Sequence, residues 1–138
     1  MKYTSGTKPG MGDPYWYEWS VCLKYVIEML NPDSGIEYAE LQADVSMGLD
    51  DVVVTYSDGA KVFIQVKHTR AEDSLTFGDL VSKEGSSKKS LLQELATGWN
   101  KEKDKYTQID VLLFTNRLAG KKIVLRHGNN ICSPPSCT

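Results

Sequence analysis

The sequence predicts an α/β fold with a mixed central sheet flanked by helices, and three observations carry that expectation. A stretch of helical periodicity opens at Asp13-Pro14. Two strand-like runs surround Ser57-Asp58-Gly59, and a nearly continuous apolar run fills Ile109 to Thr115.

Taken in order, Asp13 caps free amides and Pro14 suits the first helical position, where its missing donor would be orphaned anyway. The helix is expected to run to about Leu30, where Asn31-Pro32 stops it. Ile36 to Val45 reads as a strand. Asp51 to Tyr56 and Lys61 to His68 form a hairpin, and Ser90 to Asn100 places Leu91, Leu92, Leu95 and Trp99 at helical spacing. Ile109 to Thr115 has the continuous apolar character of a central strand buried on both faces. Lys121 to Arg126 is expected to add an edge strand. Residues 1–12, rich in Gly, Ser, Thr and Lys, are expected to form a mobile arm, residues 13–128 one domain, and residues 129–138, with Pro134-Pro135, an irregular tail expected to lead into a longer protein.

Composition narrows the function classes. With 41% hydrophobic and 25% charged residues, the 138-residue chain has the balance of one globular domain. No apolar run approaches the ~18 residues of a membrane span and no secretory signal opens the chain, so a cytoplasmic location is expected. Three cysteines and two histidines argue against a disulfide framework or a zinc cluster. Cys22, on an apolar helical face, reads as a small buried residue. The net charge of −2 lacks the basic footprint of a nucleic-acid binder, so any such contact must be local. Lys83, Lys88 and Lys89 begin a modest basic segment; a solvated helix face explains it equally well.

The hairpin register decides which side chains meet. A three-residue loop, Ser57 to Gly59 with Gly59 left-handed, gathers Val52, Val54, Tyr56, Val62, Ile64 and Val66 on one face. Asp51, Val53, Thr55, Phe63, Gln65 and Lys67 then share the other. A two-residue loop would mix the sets. Burial of the apolar face, at roughly 1.5–3 kcal/mol per large side chain, selects the first register and sets Asp51 across from Gln65, with Lys67 diagonal to it.

A carboxylate, an amide and an ammonium on one patch suit phosphodiester hydrolysis. A hard cation takes oxygen ligands from Asp51 and Gln65, and Lys67 orients or deprotonates the attacking water and offsets charge in the transition state. A surface strand with a cross-strand ion pair is the competing reading. Glu18 shares its helix face with Val21, Cys22, Tyr25, Val26 and Met29, opposite Ser20, Lys24 and Glu28. A charge there needs a partner, and a metal or Lys67 would serve; a rim glutamate reaching solvent is the alternative. Asp50 and Glu40 are further candidates for a metal shell, with Glu40 ranked below Glu18 because Tyr38, Gln42 and Asp44 on its strand face look solvated. His68 alternates away from this patch and reads as structural or as a phosphate contact.

The segments GDPYWYEWSVCLKYVIEML, GLDDVVVTYSDGAKVFIQVKH and DVLLFTNR resemble, in that order, restriction-endonuclease-like PD-(D/E)XK nuclease domains at the front of bacterial anti-phage proteins. These are the effector domains of antiviral STAND ATPases and of cyclic-oligonucleotide-activated defence effectors. The resemblance spans about Gly10 to Arg117. It implies catalytic positions at Glu18, Asp51, Gln65 and Lys67 and metal ligation by Asp51, Gln65 and Val66; Lys83, Lys88 and Lys89 of the basic segment are the candidate nucleic-acid contacts. It further implies double-stranded DNA as substrate, Mg2+ (or Mn2+) as the ion, and homo-oligomerisation on activation. Gln65 departs from the commoner glutamate and removes one negative charge from the site. A non-catalytic nucleic-acid-binding module or an assembly module on the same fold are the competing function classes, since fold alone does not separate them.

Overall fold

The computed structural model describes residues 13–46, 48–69, 73–83 and 88–120. Residues 1–12, the strand expected at 121–126 and the tail at 129–138 lie outside them. Four strands form one open mixed sheet, β1 (Ile36–Leu41), β2 (Val52–Tyr56), β3 (Lys61–Lys67) and β4 (Ile109–Thr115), in that spatial order. The pairs β1-β2 and β2-β3 are antiparallel, whereas β4 lies parallel to β3. A parallel neighbour requires the chain to cross back over the sheet. Helices α2 (Phe77–Val81) and α3 (Leu91–Glu102) lie on that crossover, while α1 (Asp13–Glu28) precedes the sheet.

The hairpin adopts the expected register. Val52 faces Ile64 and Val54 faces Val62. The Gly59 N–H donates to the Tyr56 carbonyl at 2.9 Å with Gly59 at φ +85°, closing a three-residue loop. Continued one pair beyond Val52, this register sets Asp51 level with Gln65. Each face of the hairpin is buried against a different helix. Val52, Val54, Ile64 and Val66 pack with Val21, Cys22, Tyr17 and Tyr25 of α1. Val53 and Phe63 pack with Leu49, with Leu95 of α3, and with Tyr106.

Several local expectations are corrected. Strand β1 ends at Leu41 rather than Val45, because Gln42 leaves the extended region at φ +48°. Strand β4 is the edge of the described sheet: its side chains alternate, and Leu112 and Phe114 are exposed where a central strand would bury them. Helix α1 ends at Glu28, and Val26 is exposed. It joins an outward stripe of Trp16, Trp19, Leu23, Ile27 and Leu30, so α1 is apolar on both sides and its periodicity did not single out the buried one.

Helix α3 starts at Ser90, whose hydroxyl accepts from the Gln93 N–H while the Gln93 side chain accepts from the Ser90 N–H. Leu92 and Trp99 face outward, and the helix is buried instead through Gly98 and Glu102. Gly98 is required by contact: a Cβ there would lie 2.6 Å from Leu49 Cγ, and Leu49 is fully buried. Gly98→Ala is therefore expected to destabilise the chain by about 1–3 kcal/mol through overpacking, more than the ~1 kcal/mol that alanine's helix propensity returns. Urea denaturation of the two chains measures this, and an alanine variant of equal or greater stability would refute a tight Gly98–Leu49 contact.

Candidate active site at one end of the sheet

The strand directions bring the exit of β1, the entry to β2 and the exits of β3 and β4 to the same end of the sheet. The loop from Gln42 to Asp51, which delivers the first carboxylates, is held at several points. The Gln42 N–H donates to the Asp51 carbonyl at 2.9 Å and the Ala43 N–H to the Asp50 carbonyl at 2.8 Å. The Gly48 N–H donates to Asp50 Oδ1 at 3.0 Å. Ser46 Oγ donates to Glu102 Oε1 at 2.6 Å, tying the loop to α3. Burial opposes ionisation of Glu102, but the Ser46 hydroxyl and the Lys105 ammonium, 2.9 Å away, outweigh it and hold its pKa below the usual range. Gln42 is the one non-glycine residue at positive φ among the described residues, at a cost on the order of 1 kcal/mol.

Asp51 accepts at Oδ2 from the Val66 N–H at 2.7 Å and from Gln65 Nε2. Its pKa is nevertheless raised. Burial is the largest cause and Asp50 adds to it, against the Val66 N–H, Lys67 and Gln65. Glu18 reaches the same place from α1, across the sheet end. Burial raises its pKa first, followed by repulsion from Asp51 and Asp50, while the Gln42 side chain and Lys67 favour its ionised form. Glu18 Oε2 and Gln65 Oε1 are both buried without a hydrogen-bond partner. Lys67 is exposed and influences both carboxylates, but no ion pair within 4.0 Å joins it to either.

The remaining sequence candidates divide. Val66 contributes its N–H to Asp51. Asp50 is committed to the Gly48 turn yet adds charge to the cluster, and Glu40 is exposed. The ring of His68 packs 4.9 Å from that of Tyr17. Lys67 and His68 also line a groove of about 490 Å³, together with Lys89, Glu94, Thr115 and Arg117. Lys89 borders a second hollow with Lys83 and Lys88, so the three predicted lysines adjoin the groove rather than the carboxylates. Comparison with protein-family models, with curated proteins and with solved structures finds no match to this chain. The site is judged on its own chemistry.

Among the described residues no group of three His, Cys, Asp or Glu side chains is placed to hold a metal ion. A donor set here therefore has to include neutral oxygens. Hard divalent cations take oxygen ligands from a few side chains and keep waters, and the oxygens on offer at this end of the sheet are those of Asp51, Glu18 Oε2 and Gln65 Oε1, the last two buried without a hydrogen-bond partner. A cation would also relieve the repulsion that raises both carboxylate pKa values.

Sequence reasoning misses Gln42, whose strain carries no sequence signal; Asn116 and Arg117 stand out in the sequence only as the end of the DVLLFTNR segment, and the structure gives them a task, pinning the groove wall. Asn116 accepts from the Thr69 N–H at 3.1 Å and donates to the Thr69 carbonyl at 2.6 Å. Arg117 Nη2 binds Asp73 at 3.0 Å, the Ser74 carbonyl at 2.7 Å and Asp79 at 3.2 Å.

The raised pKa values of Asp51 and Glu18 mean that both hold protons more tightly folded than unfolded. Their contribution to stability is thus greatest below the ordinary carboxylate range and falls as pH rises through the raised values. In EDTA, Asp51→Asn, which keeps an acceptor for the Val66 N–H, is expected to weaken that fall and to be at least as stable as the parent at pH 7. Urea midpoints at pH 4 and pH 7 test this; a variant clearly weaker at pH 7 would show that the Asp51 carboxylate is a net stabiliser.

Proposed function

We propose that the chain is a metal-dependent endonuclease domain of restriction-endonuclease-like type, acting on double-stranded DNA as the effector part of an anti-phage protein. The observation that supports it best is the half-buried pair Asp51 and Glu18, each with its pKa raised by burial first and by like charge next, at the same sheet end as the orphaned Gln65 Oε1 and Lys67. Perturbed carboxylate pKa values cluster at functional sites, and Lys67, at the same sheet end, lines the groove.

Asp51, Glu18 and the Gln65 amide oxygen would hold Mg2+ (or Mn2+), with the Val66 carbonyl as a further donor. Such an ion supplies Lewis-acid polarisation of the phosphodiester and charge neutralisation. Lys67, exposed at the groove, orients and takes the proton of the attacking water, or offsets the charge that builds on phosphorus-bound oxygens. Lys89 and Arg117 line the groove beside it, and Lys83 and Lys88 extend the cationic border. Homo-oligomerisation on activation belongs to this reading through the family resemblance. Among the described residues no helix is long and apolar enough to cross a membrane.

One observation favours a second reading, a non-catalytic nucleic-acid-binding or assembly module: Asp51 Oδ2 is already engaged by Gln65 and Val66, and among the described residues no third acidic side chain completes a ligand set. A plasmid-nicking assay separates the two. Nicking is expected with Mg2+ and not with EDTA, using the chain in its assembled, activated protein. Lys67→Ala should lower the rate about a hundred- to thousand-fold, the usual result of losing one preorganised electrostatic group, with the fold and DNA binding retained. Stability should change by about 0.5 kcal/mol or less, since Lys67 is exposed. Asp51→Ala should be equally inactive, but partly rescued by high Mn2+, whereas Lys67→Ala should not be. Absence of Mg2+-dependent nicking, or wild-type nicking by Lys67→Ala, which would place the activity elsewhere in the assembled protein, would leave the module reading in possession.

A further inference from the structure

Helix α1 packs Val21, Cys22 and Tyr25 against the sheet, yet its opposite side is apolar as well. Trp16, Trp19, Leu23, Val26 and Leu30 recur at alternating steps of three and four residues, the spacing of a seam that packs on another helix, and Ile27 flanks it. All are exposed, Trp16 by 67%, Leu23 by 55% and Leu30 by 81%. The row runs on into the turn after the helix, where the Leu30 N–H donates to the Ile27 carbonyl at 3.1 Å. A helix that is apolar all round is the pattern of one covered on both sides. At these exposures the six residues present on the order of 700 Å2 of accessible surface, above the ~300–600 Å2 of an ordinary monomer's largest apolar patch and close to the ~800 Å2 that each partner of a standard stable interface buries.

Charge decides among the possible occupants. Lys24 is the only cation of α1, and it is paired with Glu28 at 2.9 Å. A nucleic-acid face needs cations free to meet phosphate, and a helix that lies on anionic lipid carries Lys or Arg along its polar side. Here that side is packed on the sheet, and the seam is neutral. A second copy of the same face fits it: like charges do not oppose one another across the contact, and a two-fold axis makes the surface its own complement. We propose that α1 forms a homodimer seam, with the outward stripes of two copies packed antiparallel about a two-fold axis near Leu23. The tryptophan end of each helix then lies on the Ile27–Leu30 end of the other, which spreads the bulky rings along the contact. This association requires only the chain itself and no activating signal, and it does not rest on the nuclease reading.

The test is sedimentation velocity of the full 138-residue chain over a wide concentration range, with Leu23→Glu and Leu23→Lys alongside. The parent is expected to reach twice the monomer mass, with a Tm that rises with concentration. Each variant is expected to associate at least about 100-fold more weakly, because like charges would be buried against each other, and to keep the dilute parent's Tm at every concentration. An equal mixture of the two variants should regain the dimer by setting glutamate against lysine. Should either variant fail to fold, Ile27→Lys serves in its place as the monomeric form. A parent that stays monomeric overturns the proposal: sedimentation with phosphatidylglycerol vesicles would then make the stripe a lipid face, and its absence would leave the stripe to another part of a longer protein. A Leu23→Glu chain that dimerises like the parent, or a mixture of the variants that stays monomeric, also overturns it, since the contact then lies on another face or is not two-fold.

Discussion

The two-sided burial of the β2-β3 hairpin is the constraint from which the rest of the structure follows. Because side chains alternate, one register places Val52, Val54, Ile64 and Val66 under α1, and Val53 and Phe63 under the Leu49 and Leu95 side. A slip of one residue would exchange every one of these positions. The same register that satisfies the core also carries Asp51 to the level of Gln65, so the polar patch is a by-product of apolar packing. Helix α1 must then lie over the sheet, and Glu18, on its inner half, meets the sheet end where Asp51 and Lys67 emerge.

That end of the sheet is electrostatically unfavourable in the folded chain. Glu18, Asp50 and Asp51 repel one another, and Lys67 answers them only at a distance beyond an ion pair. Folding energy is recovered elsewhere. Leu49 seats against Gly98, Ser46 and Lys105 satisfy the buried Glu102, and Asn116 clasps both backbone groups of Thr69. These contacts surround the charged cluster and fix the segments that bear it. A scaffold that holds repelling groups together from outside is the arrangement expected where strain serves a site rather than stability.

How much of this was legible depended on whether a periodicity was unique. The hairpin has one register that sorts its residues cleanly, so its loop, its faces and the Asp51-Gln65 alignment could be read from spacing. Helix α1 has apolar residues on both sides, and Glu18 was found through its neighbours Val21, Cys22 and Tyr25 while the exposed stripe from Trp16 to Leu30 went unread. Strand β4 is apolar at Leu112 and Phe114 for reasons its own sequence does not disclose, and composition made a strand at the edge of the described sheet look buried on both faces. Gln42 was invisible, because a polar residue in an alternating strand and a polar residue in a left-handed turn look alike in one sequence.

The same electrostatics accounts for an amide at position 65. Gln65 is nearly fully buried, and its Nε2 donates to Asp51 Oδ2. A carboxylate in its place would be a fourth negative group beside Glu18, Asp50 and Asp51, could donate nothing to Asp51 unless protonated, and would push the already raised pKa values of Asp51 and Glu18 further up. Glutamine avoids this while keeping a carbonyl oxygen, Oε1, buried and without another partner. The exchange lowers the charge available to a cation but raises the fraction of Asp51 that is ionised to meet it. Position 65 therefore tunes the site through its neighbour as well as through its own oxygen, and the departure from glutamate is compatible with ion binding so long as Asp51 and Glu18 supply the charge.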